Sequence, residues 1–563
     1  MIITLIAWVY ISFFCWVWGR LVLRFIQKIS GEELPPYHFS IVCLAGLSAI
    51  TVTSGIVSLF IPLGSWWVQL IFLTPGILLL LKKESPGFLK TVSSQFSGLH
   101  LVSFLLLLAC LLMVLVMSTW KIVHPDTLGY HAQTIQWIEK YRAVPGLVHL
   151  HVRFGYQGLW FVSEALFGLR FTGVDGTTFL NSTVLAWFFI FIISRINFYF
   201  YENGNHLPGL LWITMLALCT WSYTQVRLTA TSASPDFIAA IYVWAVVCLL
   251  LDKKEKNNYQ SAGHWLFVAL PGLVAITIKL SAAPVVLTVA AAIVVFIKQK
   301  RFKLIFAVLI ISAITLFPFF ARNIITTGYA VFPNTVVDIV NVDWKYSKQL
   351  TEHEKNYITA YARKNGVSHG PEAEQVMRLK SAEWLPGWWQ QQSSADKFII
   401  ILLIASVMAA LLQLKKIIRA GFKTILVYLI TLPGVVFWFV AAPDPRFGFG
   451  SITGLIAATA YLATEGKKIS LNKKLSSAVL LAFSLIITAY TGYRFTRFFE
   501  KNQWLAPRGI EKTAYTTFDC SELKINRPVA GKEFSNIPVP CSDLDCDNFF
   551  PRGEKIAEGF RAK

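Results

Sequence analysis

The chain has 563 residues, of which 55% are hydrophobic and only 15% charged, and its mean hydropathy is +0.56. A soluble chain of this length would need several domains and a far more polar surface, so that class is excluded. The net charge of +20 does not mark a nucleic-acid binder, because the basic residues stand in short clusters between apolar blocks, which is how topology is set in a membrane.

A spanning helix needs about 20 mostly apolar residues to cross roughly 30 Å of hydrocarbon. In chain order about fourteen segments meet that need, at 2–24, 39–61, 66–82, 100–118, 176–196, 207–223, 235–252, 263–278, 280–298, 303–321, 397–414, 421–441, 446–464 and 474–493. The expected fold is therefore an all-α polytopic membrane protein. The first segment has no basic leader and no small-residue cleavage site, so it reads as a retained helix rather than a signal peptide. Lys279 interrupts the stretch 263–298.

With the N-terminus outside, the inside loops collect every dense basic cluster. These are Arg20, Arg24 and Lys28; Lys82, Lys83 and Lys90; Arg195; Lys253, Lys254 and Lys256; Lys298, Lys300, Arg301 and Lys303; Lys415, Lys416, Arg419 and Lys423; and Lys467, Lys468, Lys473 and Lys474. The chain then divides into N-terminal helices (1–118), a first large outer loop with surface helices (119–175), central helices (176–321), a second large outer loop (322–396), C-terminal helices (397–493) and an outer tail or cap (494–563).

Cys15, Cys43, Cys110, Cys219 and Cys248 lie in apolar stretches, where cysteine acts as a small hydrophobe. Cys520, Cys541 and Cys546 lie in the tail, where one disulfide fits an oxidising compartment. Their spacing offers no second pair or histidines for zinc.

Five outer stretches carry polar residues at the membrane edge. In Trp120–His131, Pro125 biases His124 toward extended structure, and a helix is expected from about Thr127. Asp126 is either its cap or a functional carboxylate. Gln133, Trp137 and Tyr141 recur at helical spacing, which suggests a face lying on the membrane surface. In Thr231–Asp236, Ser234 or Asp236 serves as an N-cap unless the carboxylate has other work, and Arg227 faces the same compartment. Lys279 either snorkels from a helix end or is functional. Arg322 and Asn323, and then Asp444 and Arg446, stand at helix boundaries on the side where topology does not call for arginine. A guanidinium there suits phosphate, and the bland alternative for Arg446 is a local pair with Asp444.

In order and location these stretches resemble the GT-C superfamily of multi-pass glycosyltransferases, and more closely an uncharacterised bacterial multi-pass group within it. The likeness rests on Asp126 followed by Tyr130 and His131, on Ser234 to Asp236, on Thr277 to Leu280, on Arg322 to Pro333 and on Pro443 to Phe447, covering about residues 120–450. The resemblance implies a GT-C-like fold and a sugar donor linked to polyprenyl phosphate. It implies transfer to an envelope glycan, lipid or protein acceptor at the outer or periplasmic face of a bacterial inner membrane. Asp126 would be the catalytic base of an inverting reaction, or the carboxylate that orients the acceptor. Arg322 and Arg446 would hold the donor phosphate, with Tyr130, His131, Asp236, Lys279, Asn323 and Asp444 around the substrates. Two features depart from the superfamily. About three extra helices precede the catalytic acid. No second acid stands beside Asp126, so divalent-metal use is left open. A transporter or flippase of lipid-linked glycans, and a polysaccharide polymerase or ligase using Arg363 and Arg378 in the second outer loop, are the alternatives.

Overall fold

The computed structural model describes all residues except 82–86, 252–260, 466, 468–471 and 530–532. Lys82, Lys83, Lys253, Lys254, Lys256 and Lys468 therefore lie outside the described residues. Each of the fourteen expected segments coincides with a helical element. Nine of the described helices are long and apolar enough to cross a membrane, and eleven if the two bent pairs 88–117 and 206–230 each count once. Asp236–Leu251 and Ala262–Ile278 are apolar but shorter. The chain is thus a polytopic helical membrane protein.

Helix ends sort onto two faces, and cross-links tie each face together. On the lysine-rich face, Arg301 bonds Glu32, which also accepts from Ser261 Oγ at 2.6 Å. There Lys416 also bonds the Leu462 carbonyl. On the other face, the Met1 ammonium donates to the Gln503 carbonyl at 2.6 Å and the Ala143 amide to Ser58 at 3.0 Å. On that face too, Thr359 Oγ1 donates to the Ala441 carbonyl at 2.7 Å. This second face carries both long loops and the tail.

Between the faces the core is apolar and closely packed. Gly19 and Gly46 let Ile2–Ser30 and Phe39–Val57 approach until a Cβ on either would collide with a carbonyl oxygen of the other helix. Small residues at helix contacts are the expected device where lipid supplies no hydrophobic drive. Lys279 breaks the stretch it was expected to break, with a helix ending at Ile278 and a 3-10 turn starting at Leu280.

Two features of the first outer loop differ from expectation. Its helix Leu159–Phe167 is buried at all nine residues and packs against Phe39–Val57, so it belongs to the core and not to a surface. Its nine residues, seven of them apolar with Ser163 and Glu164 between, are too few to cross a bilayer. The helix Ala132–Lys140 does not lie on a membrane. Gln133 and Trp137 are buried beneath the tail, and Gln133 Nε2 donates to the Ser535 and Ile537 carbonyls at 3.2 and 2.7 Å.

The tail departs from an all-α description. It holds two antiparallel pairs, Tyr515–Cys520 with Leu523–Pro528 and Phe549–Pro551 with Phe560–Ala562. Cys520 and Cys546 form its disulfide, and Cys541 is a buried thiol whose Sγ donates to Gln133 Oε1 at 3.1 Å.

Candidate functional site

Four separate stretches of chain bring charged side chains together on the loop-bearing face. The first follows helix Leu101–Met117. His124, not Asp126, caps the next turn, its Nδ1 accepting from the Asp126 and Thr127 amides at 3.1 and 3.2 Å. That turn, Thr127–His131, is a π-helical turn leading into Ala132–Lys140. The Asp126 carboxylate is thereby free for other partners. Its Oδ1 lies 3.4 Å from Arg153 Nη1 and its Oδ2 lies 3.6 Å from Arg446 Nη1.

Asp236 begins the helix Asp236–Leu251. Ser234 Oγ accepts the Asp236 amide at 3.4 Å, so this carboxylate too is not spent capping its own helix. Instead Oδ1 accepts from Lys279 Nζ, and Oδ2 lies 3.9 Å from Arg446 Nε. Lys279 does not snorkel to water. It sits in extended backbone between two helices, is paired to Asp236, and has its ammonium 3.8 Å from the Phe447 ring centre.

The last stretch is Pro443–Phe447. Asp444 caps helix Pro445–Thr464, its Oδ1 accepting the Arg446 amide at 3.0 Å, while Oδ2 accepts from Arg446 Nε at 3.0 Å. The local Arg446–Asp444 pair expected as the bland reading exists. It is one of three, since Arg446 also faces Asp126 and Asp236. Its side chain is 14% exposed and lies against the Phe447 ring at 4.6 Å.

Three carboxylates (Asp126, Asp236, Asp444) and three cations (Arg153, Lys279, Arg446) thus alternate in one cluster. Gathering so many ionised groups at a bundle end is costly unless each is paired, and such groups are functional suspects by default. Burial pushes the Asp126 carboxyl up, but its charged neighbours, Arg446 foremost, outweigh it and hold the group at about 2, ionised at any physiological pH. Burial drives His131 down to about 3, helped by His124 and opposed by Asp126 and Asp236, so its ring is neutral. His131 Nδ1 shares a hydrogen bond with Thr127 Oγ1 at 3.1 Å.

An aromatic wall stands beside the cluster. Arg153 lies over the rings of Tyr130 and Tyr357 at 5.7 and 5.8 Å. Tyr156 donates to the buried Glu354, whose carboxyl is raised by burial. Tyr357 and Glu354 come from Lys348–Arg363 in the second loop, which also fixes the Pro443 corner through Trp388 Nε1 donating to the Pro443 carbonyl at 2.6 Å.

Arg322 and Asn323 are not in this cluster. Arg322 is 2% exposed and donates to Gln157 Oε1 at 2.8 Å and Ser58 Oγ at 2.8 Å, clamping the first loop to the helix Phe39–Val57. Asn323 Nδ2 bonds the Phe319 carbonyl within its own helix. Here the guanidinium is engaged in the packing of a loop. Arg227 reaches the same face, as expected, but pairs with the Trp221 carbonyl. Conversely, Arg153, Tyr156, Glu354 and Tyr357 escape the sequence reading because they come from long outer loops, Glu354 and Tyr357 from a helix whose buried face is turned to other loops and not to an apolar bundle. The one available signal was Arg153 itself, another cation on the side where topology does not need it.

Among the described residues no group of three or more His, Cys, Asp or Glu is arranged to hold a metal ion. Asp126 and Asp236 each face a cation rather than one another, so the donor set does not fit a divalent ion.

The family model that matches residues 1–453 is described as "Domain of unknown function (DUF8201)". No curated protein matches the chain, and no solved structure matches it.

Proposed function

The chain belongs to the DUF8201 family, and we propose that this member is a membrane glycosyltransferase of the GT-C type. It moves a sugar from a polyprenyl-phosphate-linked donor to an envelope acceptor. The observation that carries the reading is the meeting of Asp126, Asp236, Lys279 and Arg446 from four distant stretches at one end of the bundle.

The chemistry needs a base for the acceptor and a positive site for the leaving group. The acceptor hydroxyl gives its proton to a carboxylate oxygen of Asp126 as its oxygen bonds the sugar C1. The C1–O bond to phosphate breaks on the opposite side, and its electron pair stays on the phosphate oxygen. Arg446 and Lys279 stabilise that charge as it develops. An incoming phosphate competes with the carboxylates for Arg446, which weakens the hold on Asp126 and makes it a stronger base when the donor is bound. Arg322 drops out of the donor-binding set. Arg153 and the tyrosine wall take its place beside the sugar.

In this reading all fourteen helical segments are crossings. The lysine-rich face lies in the cytoplasm of a bacterial cell and the site opens outside it. A polymerase using Arg363 and Arg378 has less support, because Arg363 stacks on Trp384 at 4.9 Å and Arg378 is an exposed residue paired with Glu374. A flippase has less support because the charged cluster is gathered at one end of the bundle.

The test uses purified protein and a panel of polyprenyl-phosphate sugars. Asp126→Asn is expected to lower transfer about 10²- to 10⁴-fold, the usual contribution of a positioned base, with the protein still folded in detergent. Wild-type rates in the variant overturn the assignment.

A further inference from the structure

A second set of cations on the loop-bearing face has no carboxylate partner among the described residues. Arg227 reaches from Tyr223–Arg227 to Tyr490 of helix Lys473–Phe498, and Arg494 and Arg497 follow Tyr490 at i+4 and i+7, on the same face of that helix toward its outer end. Arg227 donates to the Trp221 carbonyl at 2.7 Å and lies over the rings of Tyr223 and Tyr490 at 5.5 and 5.9 Å. Arg494 is held between Trp120 and Phe498, at 4.4 and 4.3 Å from their ring centres. Arg497 donates to Tyr493 Oη at 2.7 Å. The Nε atoms of Arg227 and Arg494 are buried and make no hydrogen bond. The acids nearest in sequence are already engaged, Glu500 and Glu511 by Arg508 and Lys121, and Asp236 by Lys279 and Arg446.

The height of these groups is fixed by helix geometry. Lys473 starts the helix on the lysine-rich face, and Arg494 stands 21 residues further on. At 1.5 Å per residue that is about 31 Å, one hydrocarbon thickness. Trp221, Tyr223, Tyr493, Phe498 and Trp504 are all exposed around the arginines, as a girdle at the headgroup level should be. The helix itself packs mainly on Leu101–Met117 and leaves the rest of its surface to lipid.

We propose that Arg227, Arg494 and Arg497 form a docking site for the phosphate of an anionic glycerophospholipid in the leaflet on the loop-bearing face. Rings and neutral oxygens hold each guanidinium in place without neutralising it, which leaves its full positive charge and its remaining N–H donors for phosphate oxygens. The headgroup lies at the girdle and its acyl chains run down the exposed side of the helix. This site is separate from the Asp126 cluster and does not rest on the glycosyl-transfer reading.

Native mass spectrometry of the delipidated protein with chain-matched phosphatidylglycerol and phosphatidylcholine tests it. Wild type is expected to retain phosphatidylglycerol in preference, on the order of tenfold to a hundredfold for three basic groups. R227Q/R494Q/R497Q is expected to lose the preference, and the exposed single variant Arg497→Gln to lower it partway with the fold intact. Excess inorganic phosphate is expected not to displace the lipid. No preference in wild type, or an unchanged one in both variants, overturns the proposal. Displacement by phosphate alone would make this a soluble-anion site and overturn the lipid assignment.

Discussion

Arg446 is the residue on which the charged cluster turns. One guanidinium faces Asp444 at 3.0 Å and Asp126 and Asp236 at 3.6 and 3.9 Å, so its contacts to the last two are loose and a phosphate can compete for the same donors. The neutral His131 below it carries a separate prediction. Its folded value of about 3 lies below the unfolded value of 6.5, so between those pH values the unfolded chain binds a proton that the native ring does not. Stability therefore falls as pH drops below 6.5, by up to about 1.4 kcal/mol per pH unit for one such proton. His131→Asn should flatten the fall of melting temperature between pH 6.5 and 4. An unchanged slope contradicts the buried neutral ring. At this scale the sequence was informative about which residues carry charge on the unexpected side, and Asp126, Asp236, Lys279 and Arg446 were all legible that way. It was silent on how each is used. Nothing in the order of residues distinguishes Arg446, which meets carboxylates, from Arg322, which meets Gln157 and Ser58.

At the scale of elements, helix ends do most of the placing. His124 and Ser234 accept the backbone amides of Asp126 and Asp236 themselves and so take the capping positions two residues upstream. A side chain released from capping can serve a site. The first loop is held by the tail, and Trp137 is its anchor, buried against Tyr141 and Phe560 at 5.3 and 6.5 Å between ring centres. Trp137→Ala should cost about 3–5 kcal/mol locally. Limited proteolysis checks this, with cleavage within 506–563 expected to speed up while the helical bundle stays intact. A tail as resistant as in wild type would show that the packing is dispensable. Spanning segments were legible because apolar length is written in composition. The burial of Gln133 and Trp137 under the tail was not, because an aromatic face looks the same whether it meets lipid or protein.

For the whole molecule, the two faces are the organising fact. Positive charge between helices predicts which ends lie together, and the latch of Arg301 to Glu32 on one face and the Asp126 to Arg446 contact on the other agree with that sorting. Long loops resist the same reading, since neither Leu159–Phe167 inside the core nor the strands of the tail follow from hydropathy. The central claim is a division of labour in one pocket, cation for phosphate and carboxylate for the acceptor. The most direct test is the dissociation constant of polyprenyl phosphate, the leaving group without its sugar, for wild type, Arg446→Lys and Asp126→Asn. The account predicts at least about tenfold weaker binding in Arg446→Lys, because a point charge cannot reproduce the planar fork. It predicts equal or tighter binding in Asp126→Asn, because a competing negative charge is gone. Equal loss in both variants, or no change in Arg446→Lys, would contradict it.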